Sequence, residues 1–389
     1  MTRTVAVVLA VLVTTATLPV AAVGGVVGTS QTVESDAMTN GQADAYAGTH
    51  VAFDTASNAI VDYRVGGQSV FENVTVESQR DHHSQTGIGA DVGLSAVTNL
   101  SGIGLEIAAQ TETRAEIATE GSASLAAHDT ERGILTVDAG EEAQYVQLNL
   151  SEDSTAEVSD EGDRVTVDSG DRTGVLLVAG DGEVAVTDNG DVTADLERES
   201  TLVFRSYADD EHDDDAVEQE RLIADGTATA EVYAAEADGD RVADVATYGQ
   251  DIAVEAQRNG EDRLEMVVKR AQHEGTIVIV SVSEAALEAA DSADDLAVTV
   301  DGEAAVEADS YSDLEGGIGE EPRYMVTHSS EASAAADVLV AVDHFSEREV
   351  AIQGDTEDDA DGSESDSVPG FGVAAAISAL LAVVGARIR

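Results

Sequence analysis

The chain has no cysteine and no tryptophan, and only one of its 389 residues is a lysine, Lys269. The lack of cysteine excludes disulfides, thiolate metal ligands and cysteine nucleophiles. Five phenylalanines and eight tyrosines are the only aromatic residues, so few rings are available to stack on bases or sugars. The core must therefore consist mainly of valine, alanine, leucine and isoleucine, and 43% hydrophobic residues are enough for a globular body.

Basic residues are also scarce. The chain has 19 of them against 78 acidic residues, for a formal net charge of −59. Self-repulsion of this size opposes compaction in dilute buffer, but the Debye length falls to about 3 Å at 1 M salt. The composition is thus typical of a protein that works in molar salt and predicts a halophilic archaeal source. It also argues against nucleic acid as a partner, because phosphate binding needs a basic face.

The N-terminus has the pattern of a secretory signal peptide. Arg3 precedes an unbroken apolar run, and Val20, Ala21 and Ala22 then form a small-x-small cleavage sequence. We expect residues 1–28 to direct export by a Sec-type route, because no twin-arginine pair precedes the run. An uncleaved N-terminal anchor is the alternative.

The C-terminus combines an acidic spacer with a short apolar run. Residues 354–367 contain 7 acids and no large apolar side chain, which predicts an extended, solvated linker. Residues 368–389 read VPGFGVAAAISALLAVVGARIR. The apolar part is shorter than the roughly 20 residues of a stable membrane span. The positive-inside rule places the arginines at both chain ends in the cytoplasm and everything between them outside the cell.

This order of parts resembles the PGF-CTERM sorting signal of haloarchaeal surface proteins. The matching residues are Pro369, Gly370 and Phe371, the apolar run, and Arg387 with Arg389. The resemblance implies that an archaeosortase cuts near the tripeptide and links the new C-terminus to a membrane lipid, much as a GPI signal is replaced by a lipid. It implies an exported protein at the outer face of the cell membrane, with the archaeosortase, the lipid and cell-surface-layer components as partners. The alternative is a permanent transmembrane helix.

The body is predicted to be mainly β. Asp-Gly and Asn-Gly pairs, which supply the positive φ of tight hairpin turns, separate Val-rich runs in residues 173–196, 251–270 and 296–308. Apolar and polar residues also alternate in residues 50–65, which is typical of a strand. Residues 276–283 (TIVIVSVS) predict a central strand that is buried on both faces.

Two short helices are predicted, at residues 214–224 and 283–292. The body of roughly 320 residues exceeds one comfortable core, so we expect two antiparallel β-sandwich-like domains, residues 31–210 and 211–353. Its end, Leu339–Ile352, resembles uncharacterised haloarchaeal surface proteins, and this likeness carries no activity.

Three N-glycosylation sequons occur, at Asn73, Asn99 and Asn149. Each has a hydroxyl residue two positions after the asparagine, as glycosyl transfer requires. The predicted export makes the use of at least one of them an expectation.

Other motifs are weak. Asp81-His82-His83 could form a metal or acid–base site, but an exposed polar loop is the prediction. Residues 357–368 have acids at calcium-loop spacing, yet Val368 occupies the position of the bidentate glutamate. We therefore expect no metal site and no cofactor, only diffuse binding of Na⁺, K⁺ or Mg²⁺.

Two functions remain open. The first is a non-enzymatic structural or interaction protein at the cell surface, which requires no motif. The second is a surface-anchored hydrolase with a site assembled from scattered Asp, Glu and His residues. The first is the prediction, because P-loop, dinucleotide-binding, nucleophile-elbow and HExxH patterns are all absent from the sequence.

Overall fold

A computed structural model gives the structure of the body. The described residues are 44–86, 94–97, 100–159, 162–208, 211–237, 240–249, 252–258, 263–270, 275–283, 296–327, 334–342 and 348–354. The predicted signal peptide (1–28), linker (354–367, except Gly354) and sorting segment (368–389) lie outside these ranges. Among the described residues, no helix has the length and apolarity needed to cross a membrane.

The first part of the chain folds into strands of two kinds: some, such as residues 51–56, alternate between buried and more exposed positions, and others, such as residues 201–208, are buried along almost their whole length. They are β1 (Ala45–Ala47), β2 (Val51–Ala56), β3 (Ala59–Val65), β4 (Gln68–Ser78), β5 (Leu105–Gln110), β6 (Arg114–Thr119), β7 (Ser124–His128), β8 (Leu135–Asp138), β9 (Gln144–Leu150), β10 (Thr155–Val158), β11 (Arg164–Asp168), β12 (Arg172–Ala179), β13 (Gly182–Val186), β14 (Val192–Leu196) and β15 (Thr201–Ala208).

These strands form two antiparallel sheets. Sheet A has the order β1-β2-β3-β4-β9-β14-β13, and sheet B has the order β10-β11-β12-β15-β8-β7-β6-β5. Inward-facing side chains of both sheets form one hydrophobic cluster, so the two sheets pack face to face as a sandwich. A run of neighbouring rings passes through this core: the ring centroids of Tyr63 and Phe71 are 6.1 Å apart and those of Phe71 and Phe204 are 4.8 Å apart.

The second part of the chain continues with eleven strands in the described residues. They are β16 (Ala228–Ala237), β17 (Asp240–Thr247), β18 (Ile252–Arg258), β19 (Arg263–Arg270), β20 (Thr276–Ser283), β21 (Leu296–Val300), β22 (Glu303–Ala304), β23 (Val306–Glu307), β24 (Arg323–Thr327), β25 (Ala334–Val342) and β26 (Arg348–Gly354).

Sheet C has the order β17-β16-β20-β25-β24-β23, and sheet D has the order β18-β19-β26-β21-β22. Their facing side chains form a second hydrophobic cluster and a second sandwich. Two pairs in sheet C are parallel, β16 with β20 and β23 with β24; all the others are antiparallel. The predicted central strand at residues 276–283 is confirmed, because β20 lies between β16 and β25.

Three α-helices occur in the described residues: α1 (Gln79–Thr86), α2 (Asp214–Ala224) and α3 (Tyr311–Glu315), with a 3₁₀ turn at Leu94–Ala96. The prediction of α2 is confirmed at both ends. Its N-cap is Asp213, whose side chain accepts a hydrogen bond from the backbone N–H of Ala216. The other predicted helix, residues 283–292, begins at the last residue of β20 and otherwise lies outside the described residues.

A third hydrophobic cluster joins the two parts of the chain. It unites outward-facing residues of β12 and β15 in sheet B with α2 and α3 and with β20 and β25 of sheet C. Sheets A and B contain only strands that precede residue 209, and sheets C and D contain only strands that follow residue 227. All four sheets lie in one compact unit. The division into domains 31–210 and 211–353 stays a prediction.

The fold class is confirmed as mainly β with a few short helices. The turns at Asn189-Gly190 and Asp301-Gly302 each join antiparallel partners, β13 with β14 and β21 with β22. The turn at Asp181-Gly182 behaves differently from the hairpin pattern, because it carries the chain from β12 in sheet B to β13 in sheet A. The sequence on either side of this turn therefore predicted two strands correctly, but it did not predict that the two strands belong to different sheets.

Candidate functional site

Two of the three predicted sequon asparagines face each other across neighbouring strands. Asn73 in β4 and Asn149 in β9 are direct partners in the antiparallel register of sheet A. Their neighbours Val74 and Leu148 belong to the sandwich core, so the two asparagines point to the outer face of the sheet. Both side chains are half-buried. Asn99 lies outside the described residues.

The two asparagines differ in their contacts. The Nδ2 of Asn149 donates a hydrogen bond to Asp191 at 2.9 Å, and the backbone N–H of Leu150 donates to the other carboxylate oxygen at 3.2 Å. Asn73 instead lines an open groove of about 860 Å³. The rest of the lining is mostly polar and acidic, and includes Glu72, Glu152, Asp153 and four serines, Ser69, Ser151, Ser154 and Ser169.

The histidine pair lies on helix α1, so the prediction of an exposed loop was wrong. His82 is 7% exposed, and its Nδ1 lies 3.5 Å from Glu77 Oε2. The Nε2 of His83 lies 3.4 Å from the hydroxyl of Tyr145, whose ring meets both imidazoles nearly edge-on. The polar sequence of α1 gives no apolar helical period, which explains why it read as a loop.

One carboxyl group on this face has a strongly shifted pKa. Burial, together with the nearby charges of Glu197 and Glu183, raises the pKa of Asp195 to about 6. Gln79 of α1 donates a hydrogen bond to the same carboxylate. Burial and the charge of Asp195 also raise the pKa of the Tyr145 hydroxyl. The face between α1 and sheet A can therefore exchange a proton close to neutral pH.

A buried ionic cluster lies where sheet B, α2 and sheet C meet. Arg205 in β15 and Glu231 in β16 are both completely buried, and their charged groups are 3.1 Å apart. Arg132 donates to Glu231 at 2.5 Å and also pairs with Asp337 in β25. Gln219 of α2 bridges the cluster, because it accepts from Arg205 at 3.0 Å and donates to Asp337 at 2.9 Å.

The charges in this cluster balance. Two arginines face two carboxylates, and the hydroxyls of Tyr233 and Tyr248 donate to Glu231. Burial alone would raise the pKa of Glu231, but Arg205 and Arg132 outweigh burial and lower it to about 2. The sequence alone did not predict this cluster. A single charged residue inside a largely apolar strand, such as Arg205 in TLVFRSYA, could have indicated a buried ion pair.

A second buried pair also joins the two parts of the chain. The Nδ1 of His128 in β7 lies 2.7 Å from the Oδ2 of Asp244 in β17, and both side chains are buried. His128 lines an open groove of about 370 Å³ between sheet B and the end of β17, where Val245 and Thr247 also line it. The groove wall is otherwise made largely of alanine, serine and threonine, with Arg114, Glu116 and Asp138 along it.

No group of three or more His, Asp or Glu side chains is arranged to hold a metal ion in the part of the chain that the structure describes. The predicted diffuse binding of cations is a different matter and stays a prediction. The acid-rich residues 357–368 lie outside the described residues.

The C-terminal segment gives the evidence for the location of the protein. Residues 368–389 match the PGF-CTERM motif. The PGF-CTERM motif marks proteins that are exported and anchored at the outer face of the cell membrane, so this chain is a surface protein with a C-terminal anchor. Proteins that carry this motif are substrates of archaeosortase, so the match supports that enzyme as a partner. No curated protein is significantly similar to the chain.

The PGF-CTERM segment assigns a location and leaves the body without an assigned activity. Pro369, Gly370 and Phe371 lie within the matched segment but outside the described residues, so their roles in processing stay predictions. The same holds for Val20, Ala21 and Ala22 at the predicted signal cleavage site.

Proposed function

We propose that this protein is a non-enzymatic structural or interaction module of the cell surface of a halophilic archaeon. In this proposal an archaeosortase removes the PGF-CTERM segment, the new C-terminus is joined to a membrane lipid, and the body is N-glycosylated. The observation that carries the proposal is the match of residues 368–389 to the PGF-CTERM motif.

The buried polar groups of the body support a structural role. The buried charges pair with one another and do not line either groove; they belong to Arg132, Arg205, Glu231 and Asp337. His128 is likewise bound to Asp244 across the two parts of the chain. Such contacts hold sheet B against sheet C, which suits a module that presents a fixed surface to partners such as surface-layer components.

Mass spectrometry of the native membrane-associated protein tests this proposal. We expect an N-terminus after the signal peptide, a C-terminus near Pro369 that carries a lipid, and loss of Arg389. Substitution of all three residues Pro369, Gly370 and Phe371 by alanine should leave the tail uncleaved. A lipid-free mature chain that ends at Arg389 would instead indicate a permanent transmembrane helix.

A surface hydrolase is the second candidate. It is favoured by Asp195, a carboxyl group with a pKa of about 6 on the same face as His82 and His83. Hydrolytic activity of the purified protein that is lost in Asp195→Asn and kept in Asp188→Asn, an exposed control in the β13–β14 turn, would support this candidate. The structural proposal expects no such activity.

A further inference from the structure

The pairing of Asn73 with Asn149 brings two possible modification sites to one spot on sheet A. In an antiparallel sheet, directly opposite Cβ atoms are only about 4.5–5.5 Å apart. Both carboxamides lie on the outer face, at the same level of adjacent strands. A sugar ring attached to one asparagine therefore occupies the space directly over the other.

Asn149 already has a structural role. Its Nδ2 donates to Asp191, and this residue also accepts from the N–H of Leu150. Asp191 ends the β13–β14 turn, where its carbonyl accepts from the N–H of Thr187. The contact thus ties the end of β9 to the turn between β13 and β14. A hydrogen bond with a charged partner is roughly twice as strong as a neutral one.

Asn73 has no comparable role. Its carboxamide makes no hydrogen bond to any other residue of the described ranges, and it opens onto the groove of about 860 Å³. The groove walls carry the hydroxyls of Ser69, Ser151 and Ser154 and the carboxylates of Glu72 and Asp153. The carboxylates are acceptors, and the serine hydroxyls already donate within the protein, so the oxygens of these groups can accept hydrogen bonds from the hydroxyls of a sugar.

We propose that Asn73 is the glycan-bearing asparagine of sheet A and that Asn149 stays unmodified in the folded protein. This inference rests on the N-glycosylation proposed above. The donor is a glycan linked to a polyprenyl phosphate: a bond forms between Nδ2 of Asn73 and the anomeric carbon, and the bond from that carbon to the phosphate oxygen breaks. The lipid phosphate leaves with the electron pair, and the Nδ2 proton passes to a base of the transferase.

The transfer must precede the closure of sheet A. Val74 is completely buried in the core, and Thr75, the hydroxyl residue of the sequon, is only 8% exposed. A transferase can therefore engage this sequon only before β4 pairs with β9. Asn149 is equally open to the transferase at that stage, so the difference between the two asparagines arises on folding: a glycan on Asn149 would lie where its Nδ2 meets Asp191, whereas a glycan on Asn73 lies over the groove and leaves that contact intact.

Glycopeptide mass spectrometry of the folded native protein tests the assignment. We expect a glycan on the peptide with Asn73 and an unmodified peptide with Asn149. A glycan on Asn149, with or without one on Asn73, overturns the inference. Modification of Asn99 alone also overturns it but leaves the proposed glycosylation standing, whereas no glycan at any of the three sequons overturns both.

A matched pair of variants tests the structural difference in protein made in a host that does not glycosylate it. Asn149→Ala removes the contact with Asp191 and should lower the Tm by roughly 2–4 °C, the shift that one lost hydrogen bond gives in a domain of this size. Asn73→Ala should leave the Tm unchanged. Equal Tm values for the two variants would contradict the structural role assigned to Asn149.

Discussion

At the scale of single residues, charges inside apolar strands carry the strongest constraint. Arg205 and Glu231 are completely buried in strands that otherwise consist mainly of alanine, valine, leucine and aromatic residues. An unpaired buried charge costs several kcal/mol, and pairing with good geometry offsets that cost. The sequence marks both residues as unusual, but it cannot pair them, because their strands lie in different sheets.

Removal of one partner of this cluster should be strongly destabilising. Glu231→Gln leaves Arg205 and Arg132 without their shared carboxylate, and we expect a loss of about 3–5 kcal/mol in the free energy of unfolding. The measurement is chemical denaturation at neutral pH in molar salt. The control is Glu255→Gln, because the side chain of Glu255 is 66% exposed beside Lys269 and such a pair contributes about 1 kcal/mol or less.

The effect of Glu231→Gln should also depend on pH. The pKa of Glu231 is lowered from 4.5 to about 2 in the folded protein, so its ionisation stabilises the fold above about pH 4.5. This contribution is lost as the pH falls through the folded pKa of about 2. The difference in unfolding free energy between wild type and Glu231→Gln should therefore narrow as the pH falls below 4. A constant difference down to pH 2 would contradict this account.

Ionisation of Asp195 should have the opposite effect from ionisation of Glu231, because it should destabilise the fold. Its folded pKa of about 6 lies above the usual 3.8, so the carboxylate opposes folding above pH 6 and the opposition fades as the pH falls toward 4. Asp195→Asn should thus raise the unfolding free energy at pH 8 by up to about 1 kcal/mol, since solvent screens this half-buried group. Thermal melts at pH 8 and pH 4 measure the effect, and Asp188→Asn serves as the control.

At the scale of elements, the sequence predicted helices and turns that depend on neighbouring residues, but it did not predict which distant strands pair. Helix α2 has an N-cap at Asp213 and acidic residues in its first turn, and the turn at Asp301-Gly302 has a hairpin dipeptide. These features depend on a few adjacent residues. The transfer of the chain from β12 to β13 across the sandwich depends on the whole packing, and α1 is held by a hydrogen bond from Gln79 to Asp195, which lies 116 residues further along the chain.

The turn between β21 and β22 gives a test at this scale. Asp301 and Gly302 have φ values of 52° and 79°, the left-handed conformation of both central residues in a type I′ turn. The space around Gly302 is open, so a side chain there meets backbone strain alone. We expect Gly302→Val to lower the unfolding free energy by about 1–2 kcal/mol and Gly302→Asn to cost much less, because asparagine tolerates this conformation. Equal losses in denaturant titrations would argue against the turn type.

At the scale of the whole molecule, neutral interior clusters coexist with a large surface charge. The buried carboxylates Glu231 and Asp337 are balanced by two arginines, so the net charge of −59 resides elsewhere on the chain. The third hydrophobic cluster, which joins sheets B and C through α2 and α3, consists of hydrophobic side chains and holds no charge for ions to screen. Compaction of this body therefore sets apolar burial against self-repulsion, and only the repulsion is screened by ions.

This balance predicts how salt stabilises the protein. If cations act diffusely, Tm values in NaCl, KCl and MgCl₂ should fall on one curve when they are plotted against ionic strength, and should rise steeply up to about 1 M, where the Debye length is about 3 Å. Sucrose at matched osmotic pressure is the control, because it strengthens burial without screening charge. A separate, saturable gain in Tm at low MgCl₂ would contradict diffuse binding, because a specific site stabilises the fold in proportion to the logarithm of the ligand concentration over Kd. The predicted diffuse binding of cations therefore corresponds to the single curve.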